Sequence, residues 1–542
     1  MKNFTKFLFT AFGVLINGIF ITLYAQSDLQ ISHFPQDMQL FPRNIATNKG
    51  SYTIDGNIPK GSTIALVKVK IFRGDALMDE KSQLINAANA AVPFSLTFDI
   101  KAELTEYRIE LRKTVGGKDS LVKKAEHLVA GDVFLINGQS NNIGSIEDID
   151  YSPFIRSYTD NFGWNDIKYT QPSKWAPRMA KMIIDQQKIP VALFNESYGG
   201  VTESYFLKNN AILSENNYNT AMKRLIAAEV KNNVRAILWW QGESDGWETP
   251  AGVFKQQFKQ LHADWMKDYN NPQCYVFQIR FKSCAHTNPL IMEVQRQLAS
   301  ELPNLENIST TAALSDGCHF SYKNGYDSLG NRLFRLVSAR NYGTSSAYTR
   351  SPDVERAWFM NKTEIHVLIK NTNALNLMGN PWADFEINGG NAKITEGVIE
   401  GNLIKLRIVG DTIGVKGISY LGHIGPENNW ITNPLGMGIQ TFSNFPITTK
   451  PAATAVDTVA DNLFEVYPTI ADDYLNIKLL DSTSTTKKIS LYNTIGSLQL
   501  EQTLPLDNAN ITLDVSHIPT GLYIVVLSQG NQKHSVKKII KI

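Results

Sequence analysis

Beyond its N-terminal segment the chain opens on period-two alternation of apolar and polar residues. In Thr63–Ile71 and again in Tyr107–Leu111 every second side chain falls on one face. Such runs, punctuated by Gly and Pro, predict a small antiparallel β-sandwich over residues 26–128. From about 130 the alternation gives way to short continuous apolar runs at 132–137, 191–195, 234–240, 274–280 and 307–314. Between them lie segments of helical period, Trp175–Gln187, Tyr218–Val230, Val253–Lys267 and Leu290–Leu302. Strand and helix in repetition predict an α/β domain over 129–342, a parallel sheet with helices on both faces. Alternation returns in Glu364–Ile369 and Leu403–Val409, which predicts an accessory β domain over 343–446. The small-residue and proline stretch at 447–461 reads as a linker, and 462–542 as a last β-rich unit.

Ligands of open parallel sheets bind outside the carboxyl ends of the strands. Four predicted strand ends carry polar blocks: Gly138-Gln139-Ser140-Asn141, Tyr198-Gly199-Gly200, Gln241-Gly242-Glu243-Ser244-Asp245 and Asp316-Gly317-Cys318-His319. Each block alone reads equally well as a turn. Together they supply what acyl transfer needs. A serine must have a base within hydrogen-bond reach and a third group to orient that base. Asp316 and His319, three residues apart, can fold so that the carboxylate meets Nδ1 and Nε2 faces Ser140. The backbone N–H groups of Ser140 and Gly200 and the amide of Gln241 are candidate donors to the oxyanion. Glu243 and Asp245 follow the apolar Trp239-Trp240; they support the loop, or one of them replaces Asp316 as the orienting acid. Trp239, Trp240 and Trp247 serve either as core packing or as platforms for sugar rings.

Composition narrows the field. The 542 residues, 43% hydrophobic, are enough for several domains with real cores. A net charge of +2 without long charge runs supplies no field for nucleic acid. Lys2 and Lys6 precede an apolar run from Phe7 to Leu23, and Ala25-Gln26 offers a cleavage point, so residues 1–25 read as a secretory signal. A membrane anchor is the competing reading, which Thr10, Asn17 and Thr22 weaken by interrupting the run. Three cysteines, Cys274, Cys284 and Cys318, make no disulfide scaffold and have no C-x-x-C spacing for zinc. Cys318 reads as a small residue filling a tight loop.

The four blocks in this order resemble those of the SGNH-type carbohydrate esterases, specifically the sialate O-acetylesterase and acetylxylan esterase group. The resemblance covers about 128–340. It implies a flavodoxin-like α/β/α domain, flanked by β-sandwich modules, that removes acetyl groups from sugars without a metal or other cofactor. Carried over by position, it makes Ser140 the nucleophile, His319 the base, Asp316 its partner, and Gly200 with Gln241 the oxyanion hole. Two positions depart from the family pattern. Asn142 stands where Met usually follows Gly-Gln-Ser-Asn, which alters packing beside Ser140. Val201 stands where a small hydroxyl residue usually follows the two glycines, which loosens the assignment of the oxyanion glycine. Asn142 also rules out the G-x-S-x-G elbow.

The C-terminal unit resembles the sorting domain of the type IX secretion system through Val466-Tyr467-Pro468, Leu491–Gly496, Pro519-Thr520-Gly521-Leu522-Tyr523 and the closing Lys537–Lys541. Thr469 and Ile470 replace the asparagine and proline that usually follow Tyr-Pro. This resemblance implies export across an outer membrane by that machinery, to the medium or the cell surface. The expected partner at the active site is an acetylated glycan, and no nucleic acid is expected. Two other functions compete: a catalytically silent glycan-binding or adhesin protein, and a lipase or peptidase on the same fold.

Overall fold

The computed structural model describes residues 29–144, 150–170, 172–209, 217–281, 288–315, 317–344, 348–423, 429–449, 464–479, 487–493, 497–504, 510–529 and 532–542. The chain forms two compact units, one running through Ala357 and resuming at Asn361–Ile447, the other Trp358–Met360 with Thr448–Ile542. Residues 1–25, expected to be a secretory signal, and nearly all of the stretch expected to be a linker lie outside the described residues.

The first unit begins with antiparallel strands. Gln30–His33, Lys49–Ile58 and Val92–Lys101 pair in one group, and Ile64–Arg73 pairs with both Ala76–Leu84 and Tyr107–Val115 in another. Along Val92–Lys101 buried and exposed residues alternate, which is the physical content of the period-two pattern. Ile54, Val69, Phe94 and Ile109 meet in the core between the two groups.

Strand β1, Lys118–Gly138, then does two jobs. Its first part pairs antiparallel with Tyr107–Val115, and its last part, from Asp132, enters a parallel sheet. The boundary expected near residue 128 therefore falls inside one strand. Strands β2 (Val191–Asn195), β3 (Val234–Trp240), β4 (Gln273–Gln278) and β5 (Leu305–Ser309) join that sheet in the order β2-β1-β3-β4-β5, and Ile155–Thr159, pairing parallel with β2, and Gly163–Asp166, pairing antiparallel with Ile155–Thr159, extend the sheet beyond β2. This is the flavodoxin-like order, and its direction reverses at β1, so a crevice opens at the carboxyl ends of β1 and β3. Helices α1 (Ala176–Gln187), α2 (Asn217–Ala227), α3 (Ala251–Asp268), α4 (Pro289–Glu301) and α5 (Asp327–Tyr342) complete the α/β domain, with α1 packed on α5 and α3 on α4. Val133–Ile136, Leu193, Ile237 and Tyr275 are all buried, as strands covered on two sides require.

One expected element changes. The apolar run at 307–314 is not a single strand: β5 ends at Ser309 and the remainder is loop. The buried side chain of Arg332 on α5 replaces the missing ladder, donating to the carbonyls of Ser309, Thr311 and Ala312 at 2.7–2.8 Å.

A seven-stranded sheet follows, in which Glu364–Lys370 pairs antiparallel with Leu403–Val409 and Phe385–Asn388 with Gly417–Tyr420. In the second unit, Leu475, Ile477, Leu491 and Val525 form a separate core, and Tyr523 Oη donates to the Pro519 carbonyl at 2.6 Å. Among the described residues no helix is long and apolar enough to cross a membrane.

Candidate active site

Ser140 stands at the start of a single helical turn, Ser140–Asn142, immediately beyond β1. The chain can turn there because Gly138 has φ +127°, and a Cβ at that position would lie 2.0 Å from the Trp240 carbonyl oxygen. Gln139 N–H donates to that same carbonyl at 2.7 Å, so the ends of β1 and β3 are joined directly. Gln139 Oε1 in turn accepts from the N–H groups of Gly242 and Ser244 at 3.2 and 3.3 Å.

The two residues after Ser140 are locked from below. Asn141 Nδ2 donates to Glu243 Oε1 at 2.8 Å, its Oδ1 accepts from Tyr326 Oη at 2.8 Å, and its carbonyl accepts from Trp175 Nε1 at 3.1 Å. Trp240 Nε1 donates to the same Glu243 oxygen at 2.9 Å. Burial pushes the Glu243 carboxyl above the usual carboxylate range. Asn142, the departure from the family's Met, donates from Nδ2 to the carbonyls of Asn137 at 2.6 Å and Trp240 at 3.4 Å. The amide thus satisfies buried backbone acceptors at the strand end, a task no thioether performs.

The Gly199–Gly200 turn lies beside the serine. A Cβ on Gly199 would stand 3.9 Å from Ser140 Cβ, and Gly200 has φ +73°. Among the described residues, neither Ser140 N–H nor Gly200 N–H is used in a hydrogen bond. Gln241 behaves otherwise. It is fully buried, and its Nε2 donates to Asp245 Oδ2 and, at 3.3 Å, to the Val201 carbonyl. The expected oxyanion donor therefore has its amide hydrogens committed within the loops, and it is not among the residues lining the cleft.

His319 follows the loop that leaves β5. Arg332 braces the stem of that loop, and burial pushes its guanidinium down to about 9, still charged at neutral pH. Arg332 also donates to the Gly436 carbonyl at 3.1 Å, His423 Nε2 accepts from Ala312 N–H at 3.2 Å, and Ser309 Oγ donates to the Ile439 carbonyl at 3.2 Å. Beyond the stem, Arg280 donates to the Gly317 carbonyl at 3.3 Å and sits 5.7 Å from the centre of the Phe320 ring. Cys318 is disulfide-bonded, which corrects its reading as a simple loop filler, while Cys274 is a buried thiol. Asp316 and Cys284 lie outside the described residues.

Ser140, Gly200, Glu243, Trp247, Cys318 and His319 line one open cleft of about 370 Å³. The fold thus gathers Ser140, Gly200 and His319, while Gln241 stays buried outside the lining. Glu243 and Asp245 are hydrogen-bonded elsewhere and, among the described residues, neither meets His319, which removes both as substitutes for Asp316. Trp239 and Trp240 are core: Trp240 stacks on Phe277 at 4.6 Å and Trp239 packs against Trp265 at 5.2 Å. Trp247 is 60% exposed in the cleft wall.

Several residues of the site escaped the sequence reading. Arg332 had a signal, a cation inside the apolar stripe of Leu329, Leu333 and Leu336; His423 had none.

The class that this fold and cleft define is a carboxylic ester hydrolase. Residues 130–339 match the family described as carbohydrate esterase, sialic acid-specific acetylesterase, and residues 465–542 match the secretion system C-terminal sorting domain. The chain therefore carries an esterase domain of that family and a tail that directs it through type IX secretion to the cell surface or the extracellular space. No curated protein matches the sequence. Among solved structures, a carbohydrate acetylesterase from Xanthomonas citri aligns with a TM-score of 0.56 and 15% identity, covering 76% of this chain and 99% of its own. A protein from Arabidopsis thaliana aligns at 0.34 with 17% identity, and NanS at 0.32 with 14%; each covers 39% of this chain and 98% of its own. At these identities the likeness to the Xanthomonas structure concerns the fold.

Proposed function

We propose that the protein removes O-acetyl groups from sugars through a Ser140–His319–Asp316 triad and an acetyl-enzyme. The observation that carries the reading is that Ser140, His319 and Gly200, from three distant strand ends, line one cleft. His319 Nε2 takes the Ser140 hydroxyl proton as Oγ attacks the acetyl carbonyl. The tetrahedral oxyanion accepts hydrogen bonds from the uncommitted N–H groups of Ser140 and Gly200. Its collapse breaks the ester bond, and the sugar hydroxyl leaves with the proton from His319. Water, deprotonated by His319, then attacks acetyl-Ser140; the second intermediate collapses with cleavage of the acyl–Oγ bond, His319 returns the proton to Ser140 Oγ, and acetate departs. Asp316 orients the imidazole from three residues upstream. Gln241, with its amide turned to Asp245 and Val201, supports the Gly200 turn instead of meeting the oxyanion. Trp247, exposed in the cleft wall, supplies a face for the pyranose ring that bears the acetyl group.

The test is acetate release from an aryl acetate and from a panel of acetylated glycans. Ser140→Ala is expected to lower kcat by about 10⁴-fold or more. Trp247→Ala is expected to raise KM about 10-fold, some 1.4 kcal/mol, for glycans alone. Undiminished turnover in Ser140→Ala would remove the nucleophile assignment. Glycan binding by the wild type without hydrolysis of any acetylated substrate would make the protein a binding module.

A further inference from the structure

One carboxylate oxygen joins two of the loops at the strand ends. Asp245 Oδ2 accepts the backbone N–H of Glu203 at 2.8 Å and also the side-chain amide of Gln241. The same amide reaches the Val201 carbonyl at 3.3 Å. Val201 and Glu203 follow directly on Gly200, so the segment bearing the Gly200 N–H is tied at two points to the loop that follows β3. Asp245, Gln241 and Glu203 are all fully buried. The Glu203 carboxyl differs from Asp245 Oδ2: among the described residues neither of its oxygens has a hydrogen-bond partner.

We propose that Asp245 is a positioning residue for the acyl-transfer site, an anion that fixes Gln241 and the Gly200 turn together, with Glu203 beside it as a neutral carboxylic acid. This rests on the reading of Ser140 and Gly200 given above. Backbone and amide donors converge on Asp245, so the negative charge belongs there; none reaches Glu203, so the proton belongs on Glu203. Two carboxylates buried near each other cannot both ionise without a large penalty. Burial, and then the charge of Asp245, push the Glu203 carboxyl well above the usual carboxylate range. Asp245 touches no reacting atom. It acts by holding a backbone donor where the oxyanion forms, and a displacement of about 1 Å in such a donor costs about 10²-fold in rate.

The experiment compares Asp245→Asn, Glu203→Gln and Ser140→Ala in the full-length protein with an aryl acetate. Asp245→Asn should lower kcat about 10²-fold and leave KM within about 3-fold, because the substrate still enters the same cleft. Glu203→Gln keeps a neutral polar group of the same shape and should lower kcat no more than about 3-fold. Infrared spectra at neutral pH should contain the C=O stretch of a protonated buried carboxyl in the wild type, lost in Glu203→Gln. Should Asp245→Asn fail to fold, Gln241→Ala removes one of the two groups Asp245 holds and should show the same selective loss of kcat. Wild-type kcat in the folded Asp245→Asn protein, a loss in Glu203→Gln as deep as in Asp245→Asn, or absence of the infrared band would overturn the proposal. Activity in Ser140→Ala would instead overturn the esterase mechanism beneath it.

Discussion

The two sides of the cleft are held by different means. Ser140 is fixed by neighbours belonging to the parallel sheet and its strand ends: Gly138 against Trp240, Gln139 against the loop after β3, Asn141 against Glu243. The stem of the loop that leads to His319 is held from outside the sheet, by Arg332 on α5 and by His423 and the Ile439 carbonyl beyond it, and Arg332 is itself tied to the Gly436 carbonyl. Ser140 is held chiefly at the strand ends, with Tyr326 and Trp175 bracing Asn141, whereas the stem of the loop that leads to His319 takes partners from α5 and from residues beyond it. The accessory β domain is accordingly a structural part of the site, in contact with the segment that leads to His319.

The largest way to break this comparison is at the tightest point on the Ser140 side. Gly138→Ala adds a Cβ 2.0 Å from a carbonyl oxygen at φ +127°, and no rearrangement of a flexible side chain relieves it. Destabilisation of about 3 kcal/mol or more is expected in denaturant unfolding. A change below about 1 kcal/mol would mean that the strand end is far more plastic than its contacts require. On the His319 side, Arg332→Leu strands carbonyls of Ser309, Thr311, Ala312 and Gly436 and should cost about 2–3 kcal/mol. His423→Ala, one residue of the accessory domain, should cost only about 1 kcal/mol yet lower kcat about 10-fold with KM unchanged. Wild-type kcat in His423→Ala would show that the loop leading to His319 stands without its brace, and the contrast between the two sides would fall.

The difference between the sides also sets how much was legible in the sequence. The ends of β1 and β3 were readable because continuous apolar runs stop abruptly at Gly-Gln-Ser and Gln-Gly-Glu, as strands buried on two faces do. The stem of the His319 loop carries a strand's pattern because Ala312, Ala313 and Leu314 are apolar; Ala313 is buried without ladder pairing, and its neighbour Ala312 takes side-chain partners in Arg332 on α5 and His423 beyond it. The helix α5 escaped notice for a related reason: Arg332 interrupts the apolar stripe that would have announced it. Trp240 and Trp247 look alike as residue types, and only their places, one in β3 and one beyond the buried Asp245, separate core from cleft wall. Gln241 was recognisable as a donor, but the direction of its amide is set by Asp245, a contact that residue type does not encode. Thr202-Glu203-Ser204 reads as an exposed polar loop, and nothing in it signals that Glu203 is buried.

The smallest expected effect sharpens the comparison through pH. Glu243 lies on the Ser140 side, where burial raises its carboxyl above the ordinary 4.5. The folded protein then holds a proton that the unfolded chain releases earlier, so between 4.5 and the raised folded value the unfolded state binds fewer protons. Stability must fall as pH rises through that window, and the contribution is fully present only below it. Glu243→Gln keeps an acceptor for Asn141 and Trp240 but removes the titration, so its urea midpoint should decline less between mildly acid and neutral pH. Equal slopes in Glu243→Gln and wild type would mean that Glu243 stays ionised in the fold, its charge sustained by the Asn141 and Trp240 donors alone, and the Ser140 side would then be held by an ion pair's worth of hydrogen bonding instead of a neutral network.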